Sequence, residues 1–199
     1  QDIDSKGFND MDETVGDLQT LKFYDEFRTD EWLQTSLVIE GDLGFAQLTV
    51  VGSYFDRETF YQHDTQSYAA YFMYVIGAYY ATYDFGTDPM GALTNDQKNE
   101  SKTLEMRLTG SGDRVSWTAG LFYMDSDEQW DFTSFIDGYA SSTAFATWSA
   151  YAAYYGFTIP ESDIWWFSAQ TTTREDKAVF GEFDVKLTEH LSFLVGGRY

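Results

Sequence analysis

Apolar and polar residues alternate with a period of two along several runs of this sequence, and no other feature constrains the fold as strongly. In the run 101–110, Leu104 and Met106 fall on one side of the chain. Glu105 and Arg107 fall on the other. Because successive side chains of a β-strand point to opposite faces of a sheet, this pattern predicts strands with one apolar and one polar face.

The alternation predicts six antiparallel strands arranged as three hairpins. Their predicted bounds are 31–40 and 45–57, 101–110 and 115–125, and 176–187 and 191–199. Each hairpin closes through a short turn, and the first two turns contain the Gly and Asp residues that tight hairpins favour. Much longer loops, 59–99 and 126–170, separate one hairpin from the next. The chain is therefore predicted to be all-β, with connections of two very different lengths.

Two environments produce strands of this kind. A soluble sheet buries its apolar face beneath another layer, whereas a membrane barrel turns that face to lipid and keeps polar residues in its interior. The predicted strands have about 10 residues or more, which is the length a tilted strand needs to cross a bilayer. Short turns at one end and long loops at the other are the asymmetry of outer-membrane barrels. Six strands are too few to close a barrel, so we predict a segment of a larger transmembrane barrel.

Composition argues against several other classes of protein. The formal net charge of −21 argues against a nucleic-acid partner, because phosphate binding requires a basic surface. The longest apolar run, 68–83, is interrupted by Gly77 and falls short of the ~20 residues of a spanning helix. Residues 1–10 are polar and acidic, so we expect no secretory signal there and a processed or partial chain if the protein is exported.

Catalysis and metal binding have few candidate residues. The chain contains no Cys and two His, His63 and His190. His63 and Asp64 are neighbours in sequence, and neighbours on an extended chain point apart, so they do not form an acid–base pair. We predict no enzyme activity, no cofactor and no transition-metal site. Four acidic residues that lack the spacing of a calcium loop are predicted to form a solvated rim: Asp125, Asp127, Glu128 and Asp131.

The long loops carry the candidate substrate-binding residues. Tyr- and Ala-rich stretches at 67–83 and 139–157 predict short helices. Aromatic side chains in these loops offer stacking surfaces for a sugar or an aromatic chelate. The candidates are Tyr79, Tyr80, Trp148, Trp165 and Trp166. The alternative is that the rings pack on each other, or on a partner, and so order the loops.

Charged side chains on the polar face are predicted to point into the barrel interior. They are Glu105, Arg107, Glu182, Asp184, Lys186 and Arg198. These residues either form part of the lining of the barrel interior or simply form a hydrated wall with no substrate role. Cross-strand pairs of this kind contribute only ~0.2–1 kcal/mol each, so their presence does not by itself indicate a substrate site.

Three stretches resemble the barrel of TonB-dependent receptors. They are 45–58 (FAQLTVVGSYFDRE), 103–124 (TLEMRLTGSGDRVSWTAGLFYM) and 178–199 (AVFGEFDVKLTEHLSFLVGGRY). The resemblance covers the three hairpins in order and leaves out the long loops. It implies a barrel of about 22 strands with a plug domain inside it. It also implies energy-coupled import of an iron chelate such as a siderophore, of cobalamin or of a carbohydrate across the outer membrane of Gram-negative bacteria.

The resemblance further implies a set of partners. These are outer-membrane lipid, the remainder of the barrel with its plug, the TonB complex acting through that plug, and a surface lipoprotein or other outer-membrane protein at the loops. The sequence contains no plug and no TonB-contacting segment, so the expectation is a fragment from the early-to-middle part of the barrel. Two alternatives stay open: a soluble aromatic-rich β-sandwich that binds carbohydrate, and a structural or adhesive barrel without an import role. Burial of the apolar face under a second protein layer would contradict the membrane prediction.

Overall fold

The computed structural model describes residues 2–6, 16, 19 and 21–199 of the chain. Seven antiparallel strands form one sheet in which every strand pairs with its neighbours in sequence. The strands are β1 (Asp2–Lys6), β2 (Phe27–Asp42), β3 (Gln47–Asp64), β4 (Gly91–Ser111), β5 (Val115–Ile136), β6 (Ile164–Thr188) and β7 (Leu191–Arg198). The predicted all-β class and the three hairpins, β2–β3, β4–β5 and β6–β7, are confirmed.

The strands run farther into the predicted loops than the sequence indicated. β3 and β5 end later than predicted, and β4 and β6 begin earlier. The predicted loops 59–99 and 126–170 were therefore too long, and the connections that remain are 65–90 and 137–163. β1, the seventh strand, was not predicted because its sequence, DIDSK, has little apolar alternation. Backbone pairing with β2, rather than side-chain pattern, places it in the sheet.

The turns of the hairpins follow from local chemistry. In the first, Gly44 adopts a positive φ of 83° and its N–H donates to Asp42 Oδ1 over 2.7 Å. The third turn has neither Gly nor Asn. There, the hydroxyl of Thr188 accepts from the N–H of His190 over 3.2 Å, which satisfies a backbone donor in place of a turn glycine.

Short helices occupy the two remaining connections, as predicted. The first contains α1 (Gln66–Tyr71), a π-helical turn (Phe72–Gly77) and a 3₁₀ turn (Ala81–Tyr83). The second contains a 3₁₀ turn (Tyr139–Ser141) and α2 (Thr143–Tyr154). Ser142 starts α2, because its Oγ accepts from the backbone N–H of Phe145 over 3.1 Å. Among the described helices, none combines the length and apolarity needed to cross a bilayer.

The chain divides into two compact units. Unit 1 comprises Gln1–Glu31, Glu58–Gln97 and Gln129–Gln170 and has a core of its own, built from both helical connections. Unit 2 comprises Trp32–Arg57, Lys98–Glu128 and Thr171–Tyr199. It contains the three hairpin turns and the regular alternation.

Unit 2 has one apolar face, and this face is exposed. Leu104, Leu121, Phe183 and Phe193 are 50%, 49%, 51% and 57% exposed. The register of β6 and β7 pairs Phe183 with Val195, which extends the same face across both strands. Further exposed members are Leu33, Leu37, Ile39, Met106, Val179, Leu187, Leu191 and Val195. Within the described residues no second sheet covers them, since all strands belong to one sheet.

The apolar face of unit 2 ends at lysines. Lys102 lies nine residues from the end of β4 at Ser111, and Lys177 lies eleven residues from the end of β6 at Thr188. The ammonium of Lys102 stands 5.9 Å from the ring centre of Tyr54, and an equivalent Lys–Tyr contact of 5.8 Å occurs at Lys177. On the apolar face, the stretch without charged side chains therefore extends nine residues from Lys102 to Ser111 and eleven from Lys177 to Thr188.

Candidate functional site

Rings from both helical connections form the core of unit 1. Its fully enclosed members are Ala69, Phe85, Ile136, Tyr139 and Ala144. The rings of Phe72 and Tyr83 stack against each other with centroids 5.0 Å apart. Trp165 completes the cluster, with its ring 5.4 Å from that of Phe85. The sequence left two expectations for the loop aromatics, ligand stacking and mutual packing. For these residues the structure shows mutual packing.

Two local features allow the connections to come this close. A Cβ added to Gly77 would lie 2.7 Å from the carbonyl oxygen of Tyr83, so only glycine permits this approach of the π-helical turn to the 3₁₀ turn. The backbone N–H of Ala144, in the first turn of α2, donates to the carbonyl of Asp84 over 2.9 Å. Burial raises the pKa of the Tyr139 phenol above its usual 10.0, so this core ring stays neutral.

A cavity of about 300 Å³ lies beside this core. It is lined by Thr65, Tyr68, Phe72, Tyr83, Leu93, Phe132, Ser134, Trp165 and Trp166. None of these side chains carries a formal charge, and most are aromatic. Tyr68 and Trp166 are more than half exposed, so the cavity reaches solvent at its rim. Its volume is at the lower end of the range that takes small molecules, roughly 300–1,000 Å³.

Two residues of the cavity wall, Thr65 and Ser134, carry buried hydroxyl groups. Ser134 is 4% exposed, and its Oγ accepts from the indole N–H of Trp165 over 2.8 Å. Thr65 is 8% exposed, and its Oγ1 has no hydrogen-bond partner among the described residues. The backbone holds Thr65 in place, because its N–H donates to Gly91 and its carbonyl accepts from Ala69, over 2.9 Å and 2.8 Å. The Oγ1 of Thr65 has almost no accessible surface, so it lies inside the wall and is not open to the cavity.

The structure brings together two of the five predicted substrate-binding residues. Trp165 and Trp166 both line the cavity. Tyr79 and Tyr80 are exposed and do not line it. Trp148 lies on α2, where its ring meets that of Tyr151 edge-on at 6.0 Å. Tyr79, Tyr80 and Trp148 therefore do not belong to the cavity site.

The sequence prediction missed most of the cavity wall. Tyr68 and Phe72 are spaced four residues apart and meet edge-on at 4.7 Å, which is a signal that the sequence contains. Leu93, Phe132 and Ser134 lie in the parts of β4 and β5 that were predicted to be loop. Without those strand extensions, no sequence pattern could have brought them to the site.

Neither a scan against models of protein families nor a search of curated proteins found a match to this chain.

A segment preceding β2 is fixed to the same unit by carboxylates. Asp64 accepts from the backbone N–H groups of Phe23 and Tyr24, over 2.6 Å and 2.8 Å. The ring of Tyr24 meets that of Phe135 edge-on at 5.4 Å. Burial, followed by a hydrogen bond to Asp137 and its negative charge, raises the pKa of Tyr24 from 10.0 to about 12. The neutral phenol is therefore the form that holds this segment.

The six predicted interior-facing charges lie on the polar face of unit 2. Their pairings are modest. Glu105 and Arg107 approach within 3.6 Å, and the guanidinium of Arg198 lies 4.8 Å from the ring centre of Phe122. The register sets Glu182, Asp184 and Lys186 opposite Gly196, Leu194 and Ser192 respectively.

Aromatic packing also occurs on this polar face. A Cβ at Gly120 would collide with the ring of Phe180, so that ring lies directly over the glycine backbone. The face thus combines charges with scattered rings and has no concentrated constellation of titratable groups. It suits a hydrated wall better than a binding site.

The acidic rim residues make ordinary contacts within their own strands and neighbours. Asp127 accepts from the hydroxyl of Thr173 over 2.7 Å, and Asp131 accepts from the amide of Gln129 over 3.1 Å. In the part of the chain that the structure describes, no three acidic or histidine side chains converge in a way that could hold a metal ion.

Proposed function

We propose that this chain is a segment of an outer-membrane β-barrel receptor that imports a scarce nutrient with energy supplied through TonB. The resemblance of its three hairpins to TonB-dependent receptors supports the family. One structural observation supports the membrane setting, namely the exposed apolar face of unit 2.

The cost of this face in water is large. Its twelve large apolar side chains are between 42% and 65% exposed. Full burial of one such side chain stabilises a fold by ~1.5–3 kcal/mol. Leaving twelve of them half exposed forfeits on the order of 10 kcal/mol, which equals the whole stability of many domains, ~5–15 kcal/mol. In lipid the same exposure is favourable, which supports a hydrocarbon environment for this face.

The height of the face also fits a bilayer. In the second and third hairpins, nine and eleven positions separate the turn-side end of the strand from the lysine that ends the face, Lys102 and Lys177 respectively. A tilted transmembrane strand needs ≈ 9–11 residues. Tyr and Lys at the boundary are the residue types that favour the membrane–water interface, where the ring is amphipathic and the ammonium reaches water.

The alternatives are less well supported. A carbohydrate-binding β-sandwich requires a second sheet over the apolar face, and the described strands form a single sheet. A structural or adhesive barrel would need no ligand cavity, whereas unit 1 has one of about 300 Å³ that opens to solvent at its rim. The cavity favours import over adhesion, because it gives the receptor somewhere to hold a small molecule.

Single-cysteine labelling tests the membrane setting cleanly, because the chain has no Cys of its own. Phe183→Cys and Phe193→Cys place a thiol on the apolar face, and Glu182→Cys and Ser192→Cys place one on the polar face. Each variant is labelled with an environment-sensitive fluorophore in the protein reconstituted in vesicles that contain nitroxide lipids. We expect blue-shifted, lipid-quenched emission from the first pair only. Equal emission from both pairs would contradict the proposal.

Import is tested separately in cells. Cells that depend on this receptor for its nutrient should lose uptake when TonB is deleted, while the receptor stays in the outer membrane. Uptake that continues without TonB would leave a barrel of another kind. No uptake of any nutrient, with intact surface attachment, would favour the adhesive alternative.

A further inference from the structure

We propose that the cavity of unit 1 binds an uncharged, apolar molecule about two fused rings in size, and that Ser134 prepares the site by fixing the indole of Trp165 in its wall. Binding of such a molecule rests on the cavity alone. The further statement that this molecule is the imported substrate rests on the proposed function.

The wall of the cavity favours a neutral aromatic ligand. Six of the nine lining residues that the structure describes are aromatic, and none of the nine carries a formal charge. Aromatic rings attract one another in stacked or edge-on arrangements beyond simple burial. A charged ligand would leave water without meeting a counter-charge in the wall, which is far more costly than burial of a neutral molecule.

The size of the cavity sets the size of the ligand. An apolar cavity of ~150 Å³ holds benzene, which is a single ring. The cavity beside the core of unit 1 measures about 300 Å³, so it has room for two fused rings. Tyr68 and Trp166, which are 54% and 56% exposed, form the rim through which the ligand enters from solvent.

The hydroxyl groups of Thr65 and Ser134 do not require a hydrogen-bonding group on the ligand. The Oγ1 of Thr65 has almost no accessible surface. The Oγ of Ser134, a residue that is 4% exposed, accepts from the indole N–H of Trp165 over 2.8 Å. Burial of apolar surface therefore determines the affinity. A sugar is disfavoured, because its hydroxyls would give up hydrogen bonds to water in this cavity.

Ser134 acts on the ligand through Trp165. Ser134 lies on β5 and Trp165 on β6, and their hydrogen bond joins a buried strand residue to an indole of the cavity wall. The ring of Trp165 also packs 5.4 Å from that of Phe85, so two contacts hold the indole. A ring that is fixed before the ligand arrives loses less conformational freedom on binding. Ser134 is therefore a positioning residue.

Equilibrium dialysis of the intact protein in lipid nanodiscs tests the ligand class. The probes are naphthalene, benzene, naphthalene-2-carboxylate and methyl glucoside, with protein-free nanodiscs as the blank for partitioning into lipid. We expect saturable binding of naphthalene, binding at least about fivefold weaker for benzene and at least about tenfold weaker for the carboxylate, and none for the glucoside. Absence of saturable naphthalene binding, or equal affinity for naphthalene and its carboxylate, would overturn the ligand class.

A matched pair of variants tests whether naphthalene binds in the cavity. Phe132 lines the cavity, whereas Phe135, three residues farther along β5, does not. Phe132→Trp places a larger ring in the cavity and should weaken naphthalene at least about tenfold. Phe135→Trp makes the same change outside the cavity and should bind naphthalene as the parent does. Equal affinities of the two variants would show that naphthalene binds elsewhere.

A double-mutant cycle tests the role of Ser134. Ser134→Ala removes the acceptor and should weaken naphthalene about three- to tenfold, the value of one hydrogen bond. Trp165→Phe removes the donor and keeps a ring. In the Trp165→Phe background Ser134→Ala should cause no further loss of affinity, because the contact is already absent. A further loss of the same size would refute the positioning role of Ser134.

Failure of the ring site and failure of the import proposal have different signatures. Naphthalene binding that Phe132→Trp abolishes, in a protein that fails the lipid-quenching test, would leave the ring site and remove the receptor. Lipid-facing labels on a protein that binds naphthalene and its carboxylate equally would leave the barrel and remove the ring site.

Discussion

Replacement of Phe183 by arginine should lower the free energy of unfolding by a different amount in a lipid-facing sheet than in a water-facing one. The size of this change therefore distinguishes the two environments. Phe183 lies five residues from the end of β6 at Thr188 and six from Lys177, in the middle of the stretch whose apolar face carries no charge. Eleven residues at ~3.3 Å each, tilted by ≈ 45°, span roughly 26 Å, which matches the ≈ 25 Å apolar band of outer-membrane barrels. Phe183 is therefore placed at the bilayer midplane of the proposed barrel.

The expected loss follows from this depth. Arginine at the midplane of a barrel's lipid face costs ≈ 2–4 kcal/mol. Since 1.4 kcal/mol is a factor of ten, the unfolding equilibrium constant of Phe183→Arg should rise about 30-fold to several-hundred-fold. In water the same change removes a side chain that is already half exposed and adds a well-hydrated charge, so the free energy of unfolding would change by less than ~1 kcal/mol.

The assay is urea unfolding of the protein in phosphatidylcholine vesicles, followed by tryptophan fluorescence. Glu182→Arg is the matched control, because Glu182 occupies nearly the same depth on the opposite face, paired with Gly196. It should change the free energy of unfolding by no more than ~0.5 kcal/mol. Phe183→Leu, which keeps the site apolar, should stay close to the parent. A Phe183→Arg variant as stable as Glu182→Arg would refute the lipid-facing assignment.

Three further predictions concern single contacts. The pKa of Tyr24 is raised from 10.0 to about 12, so its contribution to the free energy of unfolding is fully present below pH 10 and is lost as the pH rises to 12. Hydrogen exchange measured as a function of pH should show this loss of ~1–2 kcal/mol, and Tyr24→Phe should abolish the pH dependence. Gly120→Ala should destabilise by ~1–3 kcal/mol through its clash with Phe180, and unchanged urea unfolding would argue against that contact. Trp165→Ala removes a ring shared by the core and the cavity, so it should cost ~3–5 kcal/mol of unit 1 stability, measured by hydrogen exchange of α2; Trp148→Ala should cost far less.

The alternation predicted the strands of unit 2 well because each side chain there lies on either the apolar or the polar face of the sheet. On β6 and β7 every second side chain lies on the exposed apolar face, so the period of two survives in the sequence. The parts of strands in unit 1 lack this simplicity. Ala92 and Asn95 point to opposite faces of β4, yet both are 0% exposed. Where both faces are covered, alternation has no physical cause, and residues 91–99 of β4 were predicted to be loop.

The candidate site was predictable only in part, for a related reason. Aromatic content marked the correct loops, and Trp165 and Trp166 lie in the cavity. Composition does not determine which side of a short helix is covered, so Tyr79 and Tyr80 were included although they point away from the core. The cavity needs strand residues as well as loop residues. Those strand residues become visible only when the pairing of β4 and β5 is known.

The described residues bury polar side chains mainly in unit 1 and expose large apolar side chains on one face of unit 2. The buried hydrophobic residues are mostly alanine, and the buried set also includes polar and acidic side chains such as Asp30, Thr59 and Asn95. Large apolar side chains, by contrast, lie at the surface. An exposed Leu or Phe alone needs no explanation, but a continuous apolar face together with polar burial does. If the polar face of unit 2 meets water and its apolar face meets hydrocarbon, as proposed, each face meets the solvent that its side chains prefer. The buried polar residues Asp30, Thr59 and Asn95 belong to unit 1, where protein covers them.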